Sequence, residues 1–186
     1  MKKLLSAAIL AAALVTTGAA TVAAQTVMVG GQAMYRTRDI VDNAVNSADH
    51  TTLVAAVKAA GLVETLKGRG PFTVFAPVND AFENLPDGTV ATLLKPENKG
   101  TLTKVLTYHV VPGRLDAMTL EKMIKKGMGR ATLKTASGGK LVASMNGSRN
   151  IVITDESGGT ARISTYDVYQ SNGVIQVVDK VLLPKM

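Results

Sequence analysis

The chain has 186 residues with no cysteine, two histidines, no tryptophan and a formal net charge of +7. The absence of cysteine excludes a disulfide-stapled fold and a cysteine-anchored lipoprotein, and so few histidines leave no ordinary zinc ligand set, so we expect no metal and no cofactor. A basic surface attracts anionic polysaccharide, lipopolysaccharide or acidic proteins, whereas a chain without a basic-aromatic motif is not expected to bind nucleic acid.

The first 24 residues have the pattern of a signal peptide. Lys2 and Lys3 precede an apolar stretch over residues 4–15, and small residues follow up to Ala24. This predicts cleavage between Ala24 and Gln25 and a secreted or periplasmic protein of bacterial type. A retained membrane anchor is the alternative, but the stretch is shorter than the ~20 residues that a span needs. We therefore expect no transmembrane anchor after cleavage.

The mature chain is predicted to begin with an arm over residues 25–37, which has no helical or strand period, followed by a single domain over residues 38–186. Apolar residues at helical spacing predict a helix from near Asp39 and another between Asp49 and Gly61, and glycine is a common helix stop. One further helical turn is expected around residues 62–66.

The stretch from Phe72 to Phe82 is predicted to organise the fold. The apolar run Phe72–Ala76 is typical of a strand buried on both faces, and Pro77 ends it because proline donates no backbone hydrogen bond. Asn79 and Asp80 are preferred helix N-caps, and Asp80 stands three residues before a glutamate, as in a capping box. We expect Phe82 to fold back on this strand and the strand to pair with Val174–Val178.

The second half of the chain changes from helical to strand periodicity. Helices are predicted from Thr89, over residues 97–107 and over residues 115–126, with a strand at residues 108–111 between the last two. From Arg130 onwards the apolar period is two, and turns such as Asn146-Gly147 favour hairpins. The predicted strands are Ala131–Thr135, Leu141–Met145, Ile151–Thr154, Ala161–Ser164 and Val174–Val178. Helices followed by antiparallel strands predict an α+β domain.

Three blocks together resemble the fasciclin domain family. They are Thr73–Phe82, Tyr108–Gly113 and Asn172–Pro184, in the family's order and at similar spacing. The signature positions of the first block are Thr73, Phe75, Ala76, Pro77, Asn79, Asp80 and Phe82. The resemblance implies a β-wedge or sandwich of about seven strands with flanking N-terminal helices, and a role in cell adhesion without catalysis.

The chain also departs from the family pattern. Gln176 stands where the family commonly has His, and Val78 stands where it often has Thr. Family members that bind integrins carry an Asp-Ile pair shortly before the third block, where this chain has Asp167-Val168. The integrin-binding members are animal proteins, so the resemblance does not carry that partner over.

The candidate partner-binding residues are Tyr108, His109, Asp167, Val168 and Tyr169. An aromatic residue beside a carboxylate is typical of an interaction hot spot. For His109 the alternative is a core histidine that donates to a backbone carbonyl or to Asn79 or Asp80. For the last three residues the alternative is strand packing, with Tyr166 and Val168 on one face and Asp167 and Tyr169 on the other.

A second candidate site is the densest cluster of cations, Lys122, Lys125, Lys126 and Arg130. Its simplest interpretation is a solvated helix face. The alternative interpretation is a docking site for an anionic glycan or lipid headgroup.

These observations predict an exported, non-catalytic module that recognises a cell-surface or matrix protein or an anionic polysaccharide, as a monomer or a weakly self-associating chain. Two other functions stay open. One is a hydrolase that acts on envelope material, although the Gly-x-Ser-x-Gly elbow is absent. The other is a periplasmic carrier of a small molecule or lipid, which requires a large apolar cavity.

Overall fold

The computed structural model describes residues 26–185, so the predicted signal peptide and the Ala24–Gln25 cleavage site lie outside the described residues. The helices are α1 (Ile40–Ala44), α2 (Thr51–Ala60), α3 (Val63–Lys67), α4 (Asn79–Glu83), α5 (Thr89–Leu93), α6 (Lys99–Tyr108) and α7 (Ala117–Lys126). The strands are β1 (Val27–Val29), β2 (Gln32–Met34), β3 (Phe72–Pro77), β4 (Val110–Pro112), β5 (Arg130–Lys134), β6 (Lys140–Asn146), β7 (Asn150–Thr154), β8 (Thr160–Gln170) and β9 (Gly173–Val178). Within residues 26–185, no helix is both long and apolar enough to cross a membrane.

Polar caps and a glycine set the ends of several helices. Asp39 accepts a hydrogen bond from the Asp42 amide at the start of α1, and Asp116 accepts one from the Thr119 amide at the start of α7. Gly61 ends α2 with φ +73°, a left-handed conformation that glycine adopts without steric cost. The helices predicted from Asp39 and up to Gly61 are therefore confirmed.

The main sheet has seven strands in the order β4-β3-β9-β8-β7-β6-β5. The β3 and β9 strands run parallel, from Phe72 opposite Gly173 to Pro77 opposite Val178, and the other neighbours are antiparallel. Just beyond β5, the Ala136 amide donates to the Val110 carbonyl at 2.7 Å, so the two ends of the sheet approach each other and the sheet nearly closes. The predicted α+β fold with seven strands is confirmed.

The adjacent strands β3 and β9 divide most of the interior into two main cores. Val74 and Ala76 of β3 lie with Leu53 and other helix residues in the first core, whereas Phe75 lies with Leu120 of α7 in the second. Successive strand residues point to opposite faces, so one short strand supplies both cores. The prediction that Phe72–Ala76 is buried on both faces and pairs with Val174–Val178 is confirmed.

Two details of the predicted elements differ from the structure. The arm predicted over residues 25–37 has no strand period in its sequence, but β1 and β2 form a hairpin within it around Gly30 and Gly31, with Val29 and Met34 buried in the first core. Strands of three residues are too short to show a period. The strand predicted at residues 108–111 begins only at Val110, because α6 continues through Tyr108.

The predicted capping box at α4 is also wrong. The N-cap of α4 is Val78, which makes no side-chain cap. The Asn79 side chain instead serves the start of α2: its Oδ1 accepts from the Thr52 amide at 3.1 Å, and its Nδ2 donates to the Ala48 carbonyl at 2.8 Å. Phe82 is half-buried and packs against the core that contains β3 residues, as expected.

Candidate functional site

The structure separates the five predicted partner-binding residues into two groups. Tyr108, His109 and Val168 are 0%, 3% and 1% exposed, whereas Asp167 and Tyr169 are half-buried. A buried side chain cannot contact a partner in this conformation. The first three residues are therefore structural, and only Asp167 and Tyr169 remain within reach of a partner.

Tyr108 connects two hairpin turns. Its hydroxyl donates to the Lys140 carbonyl at 2.7 Å and accepts from the Glu156 amide at 2.9 Å. Burial raises the pKa of the Tyr108 phenol to about 12. The side chain thus holds the start of β6 and the turn after β7 against the end of α6.

His109 is a satisfied core histidine. Its Nδ1 lies 2.8 Å from the Val105 carbonyl, and its Nε2 lies 2.9 Å from the Leu182 amide. Since the amide can only donate, Nε2 accepts, which assigns the proton to Nδ1. Burial lowers the pKa of the imidazole to about 4, so the ring is neutral at pH 7. With both nitrogens held by backbone groups, His109 has no nitrogen free to serve as a general base.

A β-bulge separates Tyr166 from Val168. The pairing of β8 with β9 shifts register between Thr165 and Val168, and Asp167 has φ +57°. As a result Tyr166 packs against the second core while Val168 lies in the first. The expectation that these two side chains share one face is wrong, because the bulge breaks the two-residue alternation.

Gln176 holds the bulge in place. Its Oε1 accepts from the Asp167 amide at 3.1 Å, and its Nε2 donates to the Asp167 carboxylate at 2.8 Å and to the Leu115 carbonyl at 3.1 Å. The same carboxylate accepts from the Ala117 amide at 2.8 Å. From the sequence alone, Gln176 stands out only as a departure from the family pattern. A lone glutamine inside the aliphatic run Val174–Val178 is the sequence signal that could have indicated a buried polar contact at this position.

The N-terminal end of α7 therefore carries a half-exposed acidic and aromatic cluster. The Tyr169 hydroxyl donates to the second carboxylate oxygen of Asp116 at 3.2 Å, and the Arg36 guanidinium lies 4.5 Å from the centre of the Tyr169 ring. Hydrogen bonds from Thr119 hold the pKa of Asp116 below its usual value. We call Arg36, Asp116, Asp167 and Tyr169 the acidic edge.

The C-terminal end of α7 carries the opposite charge. Lys122, Lys125, Lys126 and Arg130, which we call the basic patch, are all exposed. The three lysines recur at i, i+3 and i+4 and so share one side of the helix, and cations are favoured at a helix C-terminus. The salt bridges between residues 26 and 185 all involve Lys67, so no carboxylate of this range forms a salt bridge with the patch, although the charge of Lys122 contributes to the lowered pKa of Asp116.

The first core encloses a cavity of about 140 Å³, which the sequence did not reveal. It lies between the helices α1, α2 and α3 and the strands β3 and β9, and its wall is almost entirely aliphatic. Lys58 and Thr65, which are exposed, belong to the wall and place one end of the cavity near the surface. His50 lies in the wall on the buried side.

The part of the chain that the structure describes contains no group of three or more His, Asp or Glu side chains placed to hold a metal ion.

The fasciclin domain family matches this chain over residues 48–184. Protein sll1483 of Synechocystis is 46% identical over 148 residues, which cover 79% of this chain and 74% of that protein. Immunogenic protein MPB70 of Mycobacterium bovis is 32% identical, covering 76% of this chain and 66% of its own length. The pig transforming growth factor-beta-induced protein ig-h3 is 38% identical, covering 71% of this chain but 17% of that much longer protein.

A solved structure is also similar. It is a FAS1 domain pair from the insect cell adhesion molecule Fasciclin I, with a TM-score of 0.69 and 18% sequence identity. The likeness covers 78% of this chain and 51% of the domain pair, so the chain spans about half of that structure. At this identity the likeness establishes the fold alone.

Proposed function

This chain belongs to the fasciclin domain family, and we propose that within it the protein is an exported surface-interaction module that recognises an anionic polysaccharide of a cell surface or matrix. Fasciclin domains are generally non-catalytic binding modules, associated with adhesion in characterised members. Export rests on the signal-peptide pattern of residues 1–24.

The observation that carries the proposal is the basic patch. Three exposed lysines of α7 and Arg130, the first residue of β5, have no carboxylate of the described range within salt-bridge distance. The patch presents its positive charge on a rigid helix, whose Leu120 and Ile124 are anchored in the second core. Such a surface attracts a polyanion electrostatically, with an affinity that falls as the salt concentration rises.

The acidic edge offers a second contact surface at the other end of α7. Tyr169 presents an aromatic ring already stacked with Arg36, and its hydroxyl is fixed by Asp116. A rigid aromatic residue contributes contact area at low entropic cost. We propose that a surface or matrix protein would use this edge, whereas the polysaccharide uses the basic patch.

The test compares two variants with the same change in net charge. One replaces Lys122, Lys125, Lys126 and Arg130 by Gln, and the other replaces the exposed Lys95, Lys99, Lys180 and Arg149 by Gln. Binding to an immobilised acidic polysaccharide is measured between about 50 and 300 mM salt, over which the screening length falls by about 2.4-fold. The basic-patch variant is expected to lose at least about tenfold in affinity, and the control variant less than about threefold.

Equal losses in the two variants would indicate attraction by net charge alone and would contradict a defined site. If the basic-patch variant keeps full affinity and its binding does not depend on salt, the patch is not the polysaccharide-binding site.

The hydrolase alternative has a different signature. A broad hydrolase screen with purified protein is expected to show no turnover. Turnover abolished by His109→Ala in a folded variant would overturn the binding proposal. The engagement of both His109 nitrogens by backbone groups argues against that outcome.

A further inference from the structure

The cavity in the first core has one unpaired polar atom in its wall. In the range 26–185, three buried side-chain atoms have no hydrogen-bond partner, namely Nε2 of His50 and both amide atoms of Gln170. Only His50 belongs to the cavity wall. His50 is 3% exposed, so water does not satisfy this nitrogen from outside.

The other buried polar groups of the wall are already paired. The Ser47 hydroxyl lies 2.8 Å from His50 Nδ1, the Thr107 hydroxyl donates to the Thr103 carbonyl at 2.7 Å, and both nitrogens of His109 bind backbone groups. The Ala76 backbone lies near the His50 ring but not in a geometry that pairs Nε2, so within residues 26–185 this nitrogen is the one unpaired buried polar atom among the wall residues.

The volume of the cavity sets the size of the ligand. About 140 Å³ is close to the roughly 150 Å³ of an engineered apolar cavity, in another protein, that stays dry and binds benzene. A single six-membered ring fits this space, whereas a long acyl chain does not fit without rearrangement.

We propose that this cavity is a binding site for a small ring compound that carries one hydroxyl group, with the ring against the aliphatic wall and the hydroxyl paired with His50 Nε2. Phenol is the simplest member of this class. The site is separate from the basic patch, which lies on α7 and at the start of β5 and contributes no residue to the cavity wall.

The hydroxyl group is chosen because it suits either form of the histidine. If the Ser47 hydroxyl donates to Nδ1, then Nε2 carries the proton and needs an acceptor; if Nδ1 donates to Ser47, Nε2 needs a donor. A hydroxyl can donate or accept, so it pairs with both tautomers. Burial lowers the pKa of His50, and this keeps the ring neutral at pH 7.

The test uses phenol and toluene, which have nearly the same shape but differ in the hydroxyl. Each is titrated into the purified ¹⁵N-labelled protein, and dissociation constants are taken from amide chemical shifts. Saturable shifts are expected at cavity-wall residues such as Leu53, Val57 and Val177. Phenol is expected to bind at least as tightly as toluene, although toluene is the more apolar molecule.

Two kinds of variant locate the site. His50→Leu is expected to weaken phenol binding by about tenfold and to leave toluene binding unchanged or tighter. Val57→Phe, or Ala44→Leu if the first variant does not fold, fills the cavity and is expected to abolish binding of both. Val142→Phe is the matched control, because Val142 is half-buried in β6 and outside the cavity wall.

Three outcomes would overturn the proposal. They are the absence of saturable shifts at the cavity wall in the wild-type protein, an unchanged ratio of phenol to toluene affinity in His50→Leu, and retained binding in folded Val57→Phe or Ala44→Leu.

Discussion

Asp167 and Gln176 bind each other through two reciprocal hydrogen bonds, from the Asp167 amide to Gln176 Oε1 at 3.1 Å and from Gln176 Nε2 to the Asp167 carboxylate at 2.8 Å. The pair spans the bulge between β8 and β9. Because the same carboxylate accepts from the Ala117 amide, the bulge also fixes the start of α7. The position of the acidic edge thus depends on a side chain that no partner can touch.

Removing the amide of Gln176 should therefore destabilise the protein. Gln176→Leu leaves the Leu115 carbonyl and the Asp167 amide without their partner, and we expect a loss of about 2–4 kcal/mol in the free energy of unfolding. Urea unfolding measures it. Gln32→Leu, at an exposed position of β2, is the control and should change stability by no more than about 0.5 kcal/mol. Equal stability of the two variants would contradict the role of the pair.

Tyr108→Phe removes a hydroxyl that serves two backbone groups. The Lys140 carbonyl and the Glu156 amide lose a partner, so we expect stability to fall by about 1–3 kcal/mol. The control is Tyr35→Phe, since Tyr35 is 43% exposed. Polysaccharide affinity should be unchanged in both variants. If Tyr108→Phe instead binds the polysaccharide more weakly with unchanged stability, Tyr108 contacts the partner and is not only structural.

The two buried histidines should make the protein less stable as the pH falls. Burial lowers the pKa of His109 from 6.5 to about 4 and also lowers the pKa of His50. Below pH 6.5 the unfolded chain binds protons that the folded chain does not. The stability from His109 is therefore complete above pH 6.5 and is lost as the pH falls towards 4, by about 3 kcal/mol in total.

Urea unfolding at pH 7.5, 6.0 and 5.0 measures the first part of this loss, about 2 kcal/mol by pH 5.0, before most carboxylates titrate. An NMR titration of the imidazole protons provides the control, since the His109 ring should show no protonation above pH 5. A His109 ring that titrates near its ordinary pKa would show that the bonds to Val105 and Leu182 do not persist in solution.

Asn79→Ala should loosen the start of α2. The side chain pairs with Thr52 and Ala48, about 30 residues earlier in the chain, and its loss should cost about 1–2 kcal/mol, as for an N-cap. The control is Asn84→Ala, whose side chain is exposed and binds only the Asp80 carbonyl in its own helix. Faster amide hydrogen exchange at Thr52 in Asn79→Ala alone would confirm the assignment.

The sequence predicted the elements whose signals are local. The helix ends at Asp39 and Gly61 follow from capping, and the hairpin at Asn146-Gly147 follows from turn chemistry, because each depends on neighbours a few residues away. The central strand was recognised for the same reason, as five consecutive residues carry its apolar pattern.

The remaining features depend on contacts between distant residues, which no local pattern records. Asn79 was predicted to cap its own helix but caps another, and the Ala136 to Val110 bond that nearly closes the sheet joins residues 26 positions apart. The same holds for the candidate site. Tyr108, His109 and Val168 are buried by contacts with distant residues and therefore cannot contact a partner. The basic patch is exposed, which agrees with its charged, helical spacing in the sequence.

The parallel pairing of β3 with β9 also has a consequence for synthesis. The partners of β3 on this side lie about 100 residues further along the chain, so the ribosome must deliver nearly the whole domain before the central ladder can close. Until then the first core around Val74 and the second core around Phe75 are both incomplete. We expect the nascent polypeptide to stay unfolded until β9 emerges. Because only an unfolded chain passes through a narrow translocation channel, this delay would keep the polypeptide competent for translocation.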